Sequence, residues 1–165
     1  MNLLRTSSEN KTTLPFQAAE ELTRAMTPYG RKQTVARGDR LFSFGDAAKG
    51  VYLIVSGAAR ISLVGGKGKE LVCHTAGSGS VLGLPAALCS ARYEFDVEAL
   101  EPAEMIFLET ESVNEILRQH PALCMQVMTM MCDEMSALKQ TRDHMRNCGK
   151  QSCSMHEQCS HCSFE

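Results

Sequence analysis

The sequence predicts a mainly β domain with flanking helices, followed by one long helix on its C-terminal side. Three observations predict it. Short apolar runs of strand length, Leu41-Phe42 and Val51-Tyr52-Leu53-Ile54-Val55, are closed off by Gly38, Gly45, Gly50 and Gly57, and glycine marks points where the chain turns sharply or takes a positive φ. Two further runs, Ser62-Leu63-Val64 and Glu70 to Thr75, flank the glycine-rich Gly65-Gly66-Lys67-Gly68-Lys69 and read as a hairpin. Finally, from Pro121 to Asn147 the apolar spacing changes from strand to helix.

At 165 residues, with 44% hydrophobic and 22% charged residues, the chain is long enough to bury a core without staples and is not disordered throughout. A net charge of -2 gives no basic footprint, so direct nucleic-acid binding is not expected. No stretch has membrane-spanning length and no secretory leader is evident, so a cytoplasmic protein with no membrane partner is expected. In such a reducing setting the eight cysteines are expected to be thiols, metal ligands or redox groups rather than structural disulfides.

Taken in order, residues 1–13 are polar and aperiodic and read as a loose tail. Leu14 to Met26 places Phe16, Ala19, Leu22 and Met26 at helical spacing, with Pro15 acceptable in a first turn, and predicts a short amphipathic helix. Thr27-Pro28-Tyr29-Gly30 is a turn, and Arg31 to Ala36 leads into the first strand. Cys73 and His74 are adjacent on a predicted strand, so they are expected to face opposite ways, a buried thiol and a surface imidazole. The Gly-Gly-x-Gly run is not followed by the helix opening that a phosphate loop needs. From Glu101, the segment EPAEMIFLE is the last strand, and Val113 to Gln119 a short helix.

In the long helix, Cys124, Met128, Met131, Met135, Leu138, Arg142 and Met145 recur at alternating steps of four and three, the seam of a coiled coil. Leu123, Val127 and Met130 form a neighbouring stripe suited to packing on the domain. Two apolar faces on one helix predict that one of them meets a second copy, with Met128, Met131, Met135 and Leu138 as the homodimer face.

The order of glycines and apolar anchors from Arg37 to Ile61 resembles the opening half of the cyclic-nucleotide-binding roll of CRP/FNR-type bacterial regulators. The resemblance implies a double-stranded β-helix, a jelly-roll-like β-roll, over residues 14–120, with a dimerisation helix over 121–147. It also implies that Ala76 to Leu100 is the phosphate-binding cassette, a glycine turn at Gly83 leading into Leu84, Pro85 and Ala86. The family pattern has glutamate after the glycine and arginine followed by a small hydroxyl residue before the closing strand. Here Leu84 follows Gly83, Tyr93 stands at the arginine position and Glu94 at the hydroxyl position, with Arg92 one residue away, able to turn inward only through a bulge or register shift. Cyclic AMP or cyclic GMP is the ligand the resemblance implies, and FNR-type members use the same roll without any nucleotide; both outcomes stay open.

The family's usual helix-turn-helix has no counterpart in the remaining residues 148–165, which carry Cys148, Cys153, Cys159 and Cys162 among His156 and His161. Cys159-x-x-Cys162 is a chelating pair, and thiolate with imidazole suits zinc or an iron-sulfur cluster. The expectation is a non-enzymatic sensory module that binds a small effector in the roll and signals through its dimer helix to a downstream protein partner. The alternative is a redox or metal sensor whose detector is the cysteine tail, with the roll as scaffold.

Overall fold

A computed structural model describes residues 15–64 and 70–147. The chain order is α1 (Glu20–Met26), a 3-10 turn (Thr27–Tyr29), β1 (Arg31–Val35), β2 (Arg40–Phe42), β3 (Gly50–Ser56), β4 (Ala59–Val64), β5 (Glu70–Ala76), β6 (Val81–Leu82), α2 (Leu84–Leu88), β7 (Asp96–Ala99), β8 (Ala103–Glu109), α3 (Thr110–Gln119) and α4 (Ala122–Asn147). Eight antiparallel strands form two four-stranded sheets, β1-β8-β3-β6 and β2-β7-β4-β5. This is the predicted roll with its flanking helices and long C-terminal helix.

The strands alternate in the way two apposed sheets require, each sending one set of side chains into the space between them. Ile54, Ile61, Leu63, Leu82, Phe95, Val97 and Met105 are buried there with Phe42 and Tyr93. A second apolar cluster joins the outer side of the β3 sheet to the helices, through Leu22, Met26, Val51, Leu53, Ile106, Leu108, Ile116, Val127 and Met130. Each fully buried side chain of this size contributes roughly 2 kcal/mol. Both clusters touch α4, which therefore lies across the whole body rather than beside it.

Three expectations need correction. The N-terminal helix starts at Glu20, not Leu14: Phe16 adopts φ 72, Gln17 bridges to Ser80, and the Phe16 ring sits 5.8 Å from Phe95, inside the roll. Burying that ring outweighs the helical periodicity of its neighbours. Cys73 and His74 do not face opposite ways. A bulge between Ile61 and Ser62 pairs Ile61 with His74 and Ser62 with Val72, leaving Cys73 as the extra residue, and at a bulge the alternation of side chains lapses. Both are half-buried, Cys73 against the core and His74 with its ring 5.6 Å from that of Phe16.

Leu138 is the third. Expected on the dimer face, it is 4% exposed and packs in the roll's core. At 3.6 residues per turn a step of three falls about 60° short of a full turn, so the row of alternating fours and threes has two edges. Met128 and Met135 lie on the outer edge, while Met131, Leu138 and Met145 lie on the edge that adjoins the buried row Leu123, Val127, Met130, Glu134, Leu138 and Thr141. Residues 1–14 and the predicted cysteine tail, with Cys148, Cys153, Cys159 and Cys162, lie outside the described residues.

Candidate functional site

The site is built where the cassette, β5 and α4 converge. β6 delivers the chain to Gly83, whose φ of 89 belongs to the left-handed region, and α2 follows as a little over one turn with Pro85 in its first positions. A Cβ at Gly83 would lie 2.8 Å from Cε1 of Tyr93, so glycine is required here by both backbone and neighbour. Leu84, in the place where the family pattern has an acid, is buried in the cluster beneath the helices, and Ala86 in the cluster inside the roll.

Tyr93 is held from both ends. Its ring stacks on Phe42 with centroids 3.8 Å apart and planes 18° apart, and its hydroxyl donates to the Gly50 carbonyl at 2.7 Å. Burial pushes the phenol further above its usual range, partly offset by that hydrogen bond, so it stays neutral and donating. Phe42 also meets Tyr52 and Phe95, giving an aromatic group at the heart of the roll. Arg92 does not turn inward: it is exposed and donates from Nη1 to the Gly45 carbonyl at 2.7 Å. Glu94 is exposed as well, and its carboxylate accepts from Arg142 of α4 at 2.8 Å. The expected ligand set is thus split, with Gly83, Ala86 and Tyr93 placed together and Arg92 and Glu94 on the outside.

The structure adds residues that the cassette pattern does not indicate. Thr141 of α4 donates to the Cys73 sulfur at 3.2 Å, and Cys73 in turn points at the Ala137 carbonyl, 3.9 Å away. Burial pushes the Cys73 thiol up, so it is protonated and unreactive at neutral pH. Burial likewise lowers the His74 imidazole, favouring its neutral form. Glu134 is 2% exposed, one turn from both Met130 and Leu138. Its carboxyl is pushed up to about 8, first by burial and then by the charge of Glu94. Continuing the stripe Leu123, Val127, Met130 by steps of four, four and three would have reached Glu134, Leu138 and Thr141 from sequence. Among the described residues no group of three or more His, Cys, Asp or Glu side chains is arranged to hold a metal ion.

The opposite side of α4 carries Met125, Met128 and Met135 at 65%, 50% and 61% exposure, with Cys132 exposed between them. Met131 is half-buried against the helix-side cluster. No helix among the described residues is long and apolar enough to cross a membrane. On the outside of the roll a cleft of about 610 Å³ runs between α2 and the start of α3, lined by Arg31, Lys49, Ser90, Phe107, Glu109 and Glu111. Its mixed charges favour neither sign.

The model of the cyclic nucleotide-binding domain matches residues 32–120, which hold all eight strands but the first residue of β1, together with the cassette. The chain belongs to the cyclic nucleotide-binding domain family. It is 29% identical over 93 residues to the global nitrogen regulator of Synechocystis, covering 55% of this chain and 41% of that protein. The fold matches the Thermus thermophilus catabolite activator protein with a TM-score of 0.67 at 22% identity, over 78% of this chain and 60% of that one. It also matches the c-di-GMP responsive global regulator CLP of Xanthomonas campestris, with a TM-score of 0.67 at 16% identity over 81% and 66%. The chain spans about two fifths of the length of the curated relatives it matches.

Proposed function

We propose that the chain is a sensory module that binds a small effector between the roll and α4 and passes the signal on through a homodimer formed by α4. One observation carries this reading. The same helix presents a buried row to the cassette and β5 and an exposed methionine row to the other side, so anything that moves it at the ligand face moves it at the partner face. The methionine row supports self-association, because unbranched thioether side chains repack at small cost. A contact of this kind can change its geometry without breaking.

Cyclic AMP and cyclic GMP are the first effectors to try, since the family is built around them. Tyr93 in place of an inward arginine argues that a nucleotide would be held without an ionic anchor on its phosphate. Other ligands are compatible with the fold, as the c-di-GMP responsiveness named for the Xanthomonas relative indicates. Calorimetric titration of the full chain with both nucleotides tests the reading, together with light scattering with and without ligand. Saturable micromolar binding with a dimer in both states supports it, and a chain that binds neither nucleotide and stays monomeric throughout overturns it.

A second reading is supported by Cys148, Cys153, Cys159 and Cys162, whose density suits zinc or an iron-sulfur cluster as a redox or metal detector. Replacing all four by serine in the full chain separates the two. Effector binding unchanged by the replacements favours the roll as detector, whereas metal content and response lost together favour the tail.

A further inference from the structure

We propose that the effector is anchored by a cationic nitrogen, an ammonium or amidinium group, and that Glu134 on the inner face of α4 is its anchor. This inference deepens the reading above and rests on the roll binding a small effector.

Glu134 is an acid in an unusual place. It lies on the inward row of α4 between Met130 of the helix-side cluster and Leu138 of the roll's core, at the seam of two apolar bodies. It is 2% exposed, and among the described residues it has neither a hydrogen-bond partner nor an ion pair. A buried ionisable group without a partner costs several kcal/mol when charged, so the Glu134 carboxyl stays neutral until a group of opposite charge completes it.

The surrounding elements do not. The cassette side offers Glu94, a like charge, and the guanidinium of Arg142 is engaged by that same Glu94 at 2.8 Å. From β5, Cys73 is a neutral thiol occupied by Thr141. Arg60 of β4 is directed to Glu98 at 3.3 Å and Glu70 at 4.0 Å. In α1, Glu21 accepts from Gln126, two turns away from Glu134, and in α3, Arg118 pairs with Glu115. The sequence of α2, LPAAL, carries no charge. His144, farther along α4, is ten residues away. Where the family pattern places an inward arginine for an anion, this chain has a neutral tyrosine already bonded to Gly50, and its nearest arginine, Arg92, bonds Gly45 on the outside. The inward face of the site therefore offers a neutral carboxyl and no resident cation, so a ligand that brings a positive charge is the complement that lets Glu134 ionise.

Charged N–H···O⁻ contacts in an apolar surround are among the strongest available to a small ligand. The buried carboxyl is held protonated at neutral pH by its surroundings, so a cation that pairs with it displaces its proton to solvent. Binding then strengthens as pH rises toward the titration of Glu134 and levels off above it. Because the carboxyl is almost fully covered, the ligand enters as α4 lifts from β5 and the cassette, which is the movement the partner face would sense.

The test uses the full chain, with agmatine, tyramine and spermidine as probes and cyclic AMP and cyclic GMP as controls. At pH 8 at least one amine is expected to bind saturably, with affinity falling about tenfold per pH unit below pH 7. Titrations in buffers of different ionisation enthalpy should show about one proton released per amine at pH 7. Glu134→Gln should weaken amine binding by about 30-fold or more. A ¹³C carboxyl resonance assigned to Glu134 in the wild type should move to its ionised position on adding the amine, a readout that does not depend on any variant folding. Amines that bind Glu134→Gln as tightly as wild type, or nucleotides that bind both proteins while amines bind neither, overturn the cation anchor and leave the effector reading standing. No binding of any probe overturns both.

Discussion

Tyr93 and Gly83 hold each other in position, and either one exposes the logic of the cassette. The tyrosine ring fills the space a side chain at Gly83 would need, and its hydroxyl satisfies the Gly50 carbonyl in the interior. Gly83→Ala meets both a left-handed backbone and the ring edge at 2.8 Å, and should lower stability by roughly 1–3 kcal/mol in urea unfolding. Tyr93→Phe keeps the stack on Phe42 and loses only the buried hydrogen bond, which should cost about 1–2 kcal/mol by the same measurement. A glycine variant as stable as wild type would mean the cassette turn is not held in this geometry in solution.

At the scale of the element, α4 carries two faces with different jobs. Leu138 belongs to the inward one, so Leu138→Ala should cost about 2–5 kcal/mol, read as a lower urea midpoint, by leaving a cavity between α4 and the roll. Met128 and Met135 belong to the outward one, where replacement removes no core contact. Met128→Lys with Met135→Lys should leave the unfolding midpoint of the monomeric unit within about 0.5 kcal/mol of wild type and convert the expected dimer to a monomer by light scattering. A dimer that survives both charges would place self-association elsewhere. Leu138 lies on the edge of the seam next to the inward row, about 60° around the helix from the edge that carries Met128 and Met135, which is why it is buried and they are not.

For the molecule as a whole, the buried acid couples stability to pH. The Glu134 carboxyl is raised from 4.5 to about 8 on folding. The folded state therefore binds the proton more tightly than the unfolded chain, and its stabilisation is complete below pH 4.5. It is lost progressively as pH rises from 4.5 to 8, by up to roughly 5 kcal/mol. Glu134→Gln should remove that slope, matching wild type near pH 5 and exceeding it near pH 8 when urea midpoints are compared across the range. Parallel pH profiles for the two proteins would show that the carboxyl is not buried as described.

Local pattern alone determined most of the architecture. Glycine placement bounded β2, β3 and the cassette turn, because a positive φ or a tight approach is a property of one residue and its immediate neighbours. Strand alternation and helical spacing located β1, β4, β5, β8 and the long helix for the same reason, whereas the two-residue β6 inside the cassette was not anticipated. What lay beyond sequence were the outcomes of competition between distant parts. Phe16 left its helix because the roll's interior could bury its ring, and His74, expected on the surface, joined Cys73 on the inner side because a register shift against β4 broke the alternation of the strand. Arg92 faced out because Gly45 was there to accept from it. Glu134 is the clearest case: its position on a helix was visible in the sequence, but its burial, its lack of a partner and the like charge of Glu94 exist only once α4 lies across β5 and the cassette. A side chain's charge state depends on which surfaces exclude water around it, and only the folded chain decides that.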